Sequence, residues 1–371
     1  MTQGSGDAAI RLVGVRKEFE GAARPAVGNL SFDVPAGALV AMVGPSGCGK
    51  TTTLKMINRL IEPTAGEIYV EGVEIRSLPA AQLRRRIGYV IQQIGLFPHR
   101  TISANIATVP RLLGWDRKRI KERVAELVDL VGLDADLLPR YPAELSGGQQ
   151  QRVGVARALA ADPPVLLMDE PYSAVDPIVR AHLQDELIAL QRRVQKTIVL
   201  VTHDIDEAIK LSDRIALMNV GGVLEQYATP DELLRAPANE FVEHFLGHER
   251  GLKRLSLLKV RDVDLVDGPV VGCDATPEEA ERVMAKFAYD WVGVLDGDRL
   301  LGWVDRASLE GKTRVGDAEM RRFSTPVHPD TPLRETLDAL VISRTNVAVV
   351  FDDDDRYLGM LTIEQISEGV R

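Results

Sequence analysis

The chain has 371 residues, 45% hydrophobic and 27% charged, with a formal net charge of −9. That length predicts two or three domains, each able to bury its own core. The acidic balance and the 5% of aromatic residues argue against a nucleic-acid binder, which needs a basic footprint or stacking platforms. With two cysteines, Cys48 and Cys273, a disulfide framework is not expected and a reducing compartment is. No apolar run approaches the roughly 20 residues of a membrane span, and the first seven residues lack the regions of a signal peptide. The expected location is therefore cytoplasmic unless a partner holds the chain at a membrane.

From residue 10 the chain reads as β-rich. Ile10-Arg11-Leu12-Val13 and Leu30-Ser31-Phe32-Asp33-Val34 alternate or nearly so, and the turn Pro35-Ala36-Gly37 feeds an apolar strand over 38–43. Phe19, after the first strand, reads from pattern alone as a core aromatic as readily as a functional one. Next comes Gly44-Pro45-Ser46-Gly47-Cys48-Gly49-Lys50-Thr51-Thr52, which fits the phosphate-binding pattern G-x-x-x-x-G-K-[ST] between a strand and a helix. A triphosphate has to be touched by several backbone N–H groups at once, so a Cβ at Gly44, Gly47 or Gly49 is expected to obstruct it. The helix starting near Lys50 turns unpaired amides and its positive dipole end towards the phosphates. Lys50 adds charge for the β- and γ-phosphates, and Thr51 a hydroxyl for Mg²⁺.

Residues 66–73 then read as a hairpin strand, Arg84-Arg85-Arg86 as a solvated face, and 87–92 as a strand ending in the amide of Gln92. Between about 96 and 160 the character is helical, with Ile120, Val124, Leu127, Val128 and Val131 on one face. This predicts a helical insertion in the nucleotide domain. Leu145-Ser146-Gly147-Gly148-Gln149 opens a helix over 150–160; it reads as a second anion site or as an ordinary Ser-capped start. The run Val165-Leu166-Leu167-Met168-Asp169-Glu170 is a buried-type strand ending in two carboxylates. Together with Lys50 it is what Mg²⁺-nucleotide hydrolysis needs, one carboxylate for the metal and the next as base. Asp176 precedes a helix with Leu183, Leu187, Leu190 and Val194 on one face, and a second buried strand over 197–202 ends at His203. By position alone that histidine reads as structural.

The ordered set GPSGCGKTT, Gln92, LSGGQ, LLMDEP, SAVD and His203 resembles the ATP-binding-cassette ATPases over nearly all of residues 10–237. The resemblance implies an α/β P-loop NTPase fold with a helical subdomain, ATPase activity, and ATP and Mg²⁺ as cofactors. It implies that Phe19 stacks on adenine and that Gly44 to Thr52 hold the phosphates and Mg²⁺. Gln92 would touch the metal or the attacking water and report to a transmembrane partner. Ser146, Gly147, Gly148 and Gln149 would bind the γ-phosphate of ATP held on the opposite subunit. Asp169 would organise Mg²⁺, Glu170 act as general base, His203 contact the γ-phosphate and Asp176 bridge the subunits. One copy of each motif implies a homodimer enclosing two ATP molecules. The implied partners are integral membrane permease subunits and, through them, an extracytoplasmic solute-binding protein, at the cytoplasmic face of the membrane.

Residues 83–99 and Asn105-Ile106-Ala107-Thr108-Val109-Pro110 resemble, more narrowly, ATPases of bacterial importers for glycine betaine, carnitine, choline or proline. The alternatives are an importer ATPase for an amino acid or sugar, and a non-transport cassette, which needs coiled-coil insertions or fused cassettes that are not visible. Residues 1–237 are expected to form the cassette and 238–252 a junction, with an internal repeat at about 253–315 and 316–371. In it, Thr276-Pro277 and Thr331-Pro332 each start a helix through a capping Thr and a first-turn Pro. Ala280, Val283, Met284 and Phe287 mark one face of the first, and Leu333, Leu337, Leu340 and Val341 one face of the second. The two units resemble a tandem CBS pair, α+β in class, and are expected to pack together. Asp305 and Ser308 in the first copy, and Gln365 in the second, depart from the family's Gly-h-h-[Thr/Ser]-x-x-Asp ending, which puts ribose recognition by a carboxylate in doubt. This acidic tail, with Asp352-Asp353-Asp354-Asp355 at an expected turn, is read as a sensor of ionic strength or of a cyclic dinucleotide, the alternative being a dimerisation platform.

Overall fold

The computed structural model of the protein describes residues 8–92, 95–173, 175–323 and 326–370. Residues 1–7, Gln93, Ile94 and Ala174, on which parts of the sequence reading rest, lie outside them. The chain divides into two compact units between Gly247 and His248, within the expected junction.

The first unit begins with β1 (Ala8–Lys17), β2 (Val27–Pro35), β3 (Leu39–Val43), α1 (Lys50–Ile57), β4 (Ala65–Val70), β5 (Val73–Glu74), α2 (Ala80–Arg84) and β6 (Ile87–Val90). A helical stretch follows: α3 (Ile102–Ile106), α4 (Thr108–Leu112), α5 (Arg117–Leu130) and α6 (Gly147–Leu159). The chain then returns through β7 (Val165–Asp169), α7 (Pro177–Val194), β8 (Thr197–Val201), α8 (Ile205–Leu211), β9 (Arg214–Asn219), β10 (Val223–Ala228), α9 (Pro230–Arg235) and α10 (Glu240–Leu246).

Two sequence patterns make two kinds of sheet. The alternating strands pair antiparallel in the order β2-β1-β4-β5. The expected strand over 66–73 is broken here, because Glu71 and Gly72 take φ of 49° and 72° and turn the chain between β4 and β5. The uniformly apolar runs build the second sheet, β10-β9-β3-β8-β7-β6, in which all neighbours except β10 and β9 run parallel. Every residue of β3, β7 and β8 is buried, as expected for parallel strands covered on both faces. Their side chains divide between two cores. Val165 and Leu167 join α1 and the antiparallel sheet, while Leu166 and Met168 join the helical insertion and α7.

The second unit contains α11 (Arg250–Leu255), β11 (Val270–Gly272), α12 (Pro277–Phe287), β12 (Trp291–Asp296), β13 (Arg299–Asp305) and α13 (Arg306–Leu309). After them come β14 (Pro326–Val327), α14 (Leu333–Ile342), β15 (Ala348–Phe351), β16 (Tyr357–Leu361) and α15 (Ile363–Val370). The repeat is visible as two sheets of the same design, β11-β12-β13 and β14-β15-β16, each a parallel pair followed by an antiparallel strand. Trp291 and Trp303 of the first half and Val349 and Met360 of the second share one apolar cluster. The segment leading into the first half contributes Leu255 and Val260 to the core of the second, so the halves are interleaved rather than divided at 315. Two expectations for α14 fail. Pro332 occupies the N-cap position instead of the first turn, and Val341 is 72% exposed, since the buried face runs through Leu333, Thr336, Ala339 and Leu340.

Candidate functional site

Parallel pairing places the carboxyl ends of β3, β6, β7 and β8 on one edge of the sheet, where the strand order reverses on either side of β3, a crevice that open α/β sheets use for ligands. The residues that follow these strands are the 44–52 loop, Gln92, Glu170 and His203. Sequence positions more than 100 residues apart therefore meet at this edge.

Two hydrogen-bonded groups result. The Thr51 hydroxyl at the start of α1 donates to Asp169 Oδ1 at 2.9 Å, and the Tyr89 hydroxyl faces Asp169 Oδ2 at 3.5 Å. Asp169 is 5% exposed. Burial raises its pKa, against which the Thr51 hydrogen bond acts. In the second group Gln92 Nε2 donates to Glu170 Oε2 at 3.1 Å, and His203 Nδ1 lies 3.3 Å from the same oxygen. Glu170 adopts φ 43°, an unusual angle for a non-glycine residue. Its N–H donates to Val201 O, and its carbonyl accepts from the Ser173 hydroxyl, so both neighbours hold the turn that aims the carboxylate.

Lys50 is 6% exposed, and its ammonium donates to Gly44 O at 2.7 Å and Pro45 O at 3.1 Å, with Cys48 Sγ at 3.6 Å. The loop thus closes around its own cation. Phe19 is 47% exposed, with Lys17 Nζ 5.1 Å from its ring centroid; the core reading of this aromatic is excluded.

A sequence model of the ABC transporter family matches residues 27–173, and one of the CBS domain matches 315–370. The chain is 47% identical over 365 residues to the osmoprotectant import ATP-binding protein OsmV of Salmonella typhimurium, across 97% of this chain and 95% of that protein. The protein belongs to the ATP-binding-cassette transporter ATPases. It is also 45% identical to the glycine betaine/carnitine/choline transport ATP-binding protein OpuCA of Bacillus subtilis, across 95% of this chain and 94% of that one. Among solved structures, a dimeric ATP-binding cassette bound to ADP and Pi in a post-hydrolysis state superposes with a TM-score of 0.54. It is 33% identical and covers 60% of this chain and 98% of its own.

The cassette adds one detail to the sequence reading and corrects another. Gly44 and Gly49 are required by the protein's own backbone. A Cβ on Gly44 meets Met218 O at 2.1 Å, and one on Gly49 meets Ala26 O at 2.4 Å, while a Cβ on Gly47 meets nothing within 4 Å. The helix expected at 150 starts at Gly147, so Gly147 and Gly148 lie inside its first turn. Ser146 Oγ accepts from the Gln149 N–H, and Gln149 Oε1 accepts from the Ser146 N–H at 2.9 Å, a capping box. Each side chain thus accepts from the other residue's backbone N–H. Asp176 caps α7 by accepting from Val179 N–H at 3.1 Å.

Three residues of the site escaped the sequence reading. Tyr89 is one. Asn105, fully buried, accepts from Phe97 N–H at 2.7 Å and donates to the carbonyls of Phe97, Arg100 and Thr101, pinning the segment that follows Gln92. Glu207 is 6% exposed and accepts from the Thr202 hydroxyl at 3.2 Å, directly behind His203. Burial pushes its carboxyl up to about 7. A signal existed for Glu207, which shares the buried face of α8 with Ala208 and Leu211.

Proposed function

We propose that this cassette is the ATP-hydrolysing subunit of an importer for compatible solutes of the glycine betaine, carnitine, choline or proline class, and that two copies close on two ATP molecules. The hydrolytic reading is carried by the convergence on one carboxylate oxygen, Glu170 Oε2, of an amide donor and an imidazole. In this reading Glu170 takes a proton from the attacking water, Gln92 orients that water, and His203 contacts the γ-phosphate. Lys50 exchanges its two loop carbonyls for β- and γ-phosphate oxygens, a stronger charge-assisted pairing. The exposed Phe19 ring offers its face to adenine.

Thr51 and Asp169 present a hydroxyl and a carboxylate 2.9 Å apart, oxygen donors that suit a hard divalent cation. They would hold Mg²⁺, which when bound would neutralise phosphate charge. Among the described residues no group of three His, Cys, Asp or Glu side chains gathers around a point, which fits a cation held partly by the nucleotide. Ser146 to Gln149 and Asp176 complete the site of a second copy.

The solute class is supported by the likeness to OsmV and OpuCA over nearly the whole chain. No helix among the described residues is long and apolar enough to cross a membrane, so permease subunits and a solute-binding protein are the proposed partners, with the cassette on the cytoplasmic face. The C-terminal pair is proposed to gate transport by responding to ionic strength or a cyclic dinucleotide.

Glu170→Gln is expected to lower ATP turnover by about 10²–10⁴-fold while ATP still drives dimer formation; turnover within a few-fold of the parent removes Glu170 as base. Uptake of labelled glycine betaine, carnitine, choline and proline by cells lacking the gene, against cells with it restored, tests the solute. Restored uptake of an amino acid or sugar instead replaces the assignment.

A further inference from the structure

Between the end of α5 and the facing sides of α6 and α7 lies a cavity of ≈240 Å³, apart from the nucleotide edge of the sheet. Its lining combines apolar side chains, Val155 on α6 and Leu183, Leu187 and Leu190 on α7, with the charged Asp129, Arg152, Glu186 and Arg193. Gln151, on α6, lines it as well and is only 2% exposed. Neither its Oε1 nor its Nε2 has a hydrogen-bond partner among the described residues. Buried amides are otherwise satisfied as a rule, and this chain shows the rule at Asn105, whose amide makes four bonds.

We propose that this cavity is a small-molecule site that takes a compact apolar body carrying a neutral head able to both donate and accept, such as a carboxamide or lactam. The volume sets the body. A cavity of about 150 Å³ lined by apolar side chains accommodates benzene, so ≈240 Å³ holds one ring and a short polar group. Gln151 sets the head, because a primary amide left with a free donor and a free acceptor pairs with another amide-like group through both.

Two arginines line the cavity, Arg152 and Arg193; Arg152 is committed, donating to Gly132 O at 2.7 Å and pairing with Glu186, which also faces His182 Nε2 at 3.0 Å. That pair ties α6 to α7 along one side of the cavity, and the exposed Ala189 borders it on α7. Because Ser146 caps α6 and Asp176 caps α7, an occupant touches both helices whose capping residues belong to the proposed dimer site. The proposal does not depend on the transported solute.

The test uses the full chain, with benzamide as probe and toluene as the same ring without the head. Thermal unfolding midpoints are measured against concentration for the parent, Gln151→Leu and Ala189→Trp. Benzamide is expected to raise the parent's midpoint and to bind more tightly than toluene. Gln151→Leu should weaken benzamide about tenfold, the scale of losing a paired buried polar contact, while toluene is retained. Ala189→Trp, a change at an exposed position, should block both. No benzamide shift in the parent, or a shift that both variants leave intact, overturns the proposal. If Gln151→Leu fails to fold, the Ala189→Trp comparison decides alone.

Discussion

At Glu207 a carboxyl sits where charge is disfavoured. It is buried among α8, α7 and the ends of β7 and β8, and Asp204 and Glu170 act on it in the same direction as burial, with Arg180 and the Thr202 hydroxyl opposing. Its folded-state pKa of about 7 exceeds the ordinary 4.5. Between those values the native protein keeps a proton that the unfolded chain has released, so the unfolding free energy falls as pH rises from 4.5 to about 7 and changes no further above that. The full loss is roughly 3 kcal/mol at about 1.36 kcal/mol per pKa step. Glu207→Gln carries no such titration. Urea unfolding of both proteins should show the variant gaining on the parent from pH 5 to pH 8 by up to that amount; a constant difference would falsify the assignment. Gly44 makes a second residue-scale prediction. Gly44→Ala forces a Cβ against Met218 O and should cost about 1–3 kcal/mol or more in the same assay, whereas Gly47→Ala meets no atom and costs only the backbone strain of φ 79°, about 1–2 kcal/mol. Lys50, Asp169, Glu170 and His203 were legible because each sits in a motif. Tyr89 was not, because its partner Asp169 lies 80 positions away and only folding brings them together, while Asn105 and Glu207 bond to near neighbours in sequence but sit in no motif that marks a polar residue as buried.

The two Thr-Pro helix starts of the C-terminal unit have the same local sequence and different outcomes. Thr276 caps α12, accepting from Glu279 N–H, while Glu279 Oε2 accepts from Thr276 N–H at 2.9 Å. At the corresponding distance from Thr331 stands Arg334, which has no acceptor to return. Thr331 instead accepts from His328 N–H at 2.9 Å, closing the turn before the helix, and α14 begins after Pro332 with no side-chain cap. Thr276→Ala should therefore cost about 1 kcal/mol and release the exchange protection of the first α12 amides. Thr331→Ala should leave the α14 amides as they were, and equal loosening of both helices would contradict this reading. The apolar strands were read correctly because burial on both faces leaves no alternation to interpret. Where a strand met a turn, as at Glu71-Gly72, composition alone did not show the break.

At the scale of the molecule, each unit holds apolar clusters of its own, with Leu167 and Leu200 in those of the first and Val350 and Leu361 in one of the second. A chain ended at Gly247 should keep ATP hydrolysis within a few-fold of the full chain, and transport driven by it should lose its response to salt. Because screening acts over about 10 Å at 0.1 M, an unchanged salt response in the shortened transporter refutes gating by the acidic tail. The interleaving of the tail's halves was hidden from the sequence, since Leu255 and Val260 fall at the start of the first expected repeat yet pack in the core of the second. The capping box at Ser146 and Gln149 has a consequence for assembly. While the cassette is alone, each of those side chains accepts from the other residue's backbone N–H and keeps the start of α6 in order. In the closed pair proposed above, the same hydroxyl and amide face a phosphate on the twin copy. Closure is then a trade of self-contact for mutual contact at one helix end, and the amide proton of Gln149 becomes a local reporter of whether a second cassette is in place.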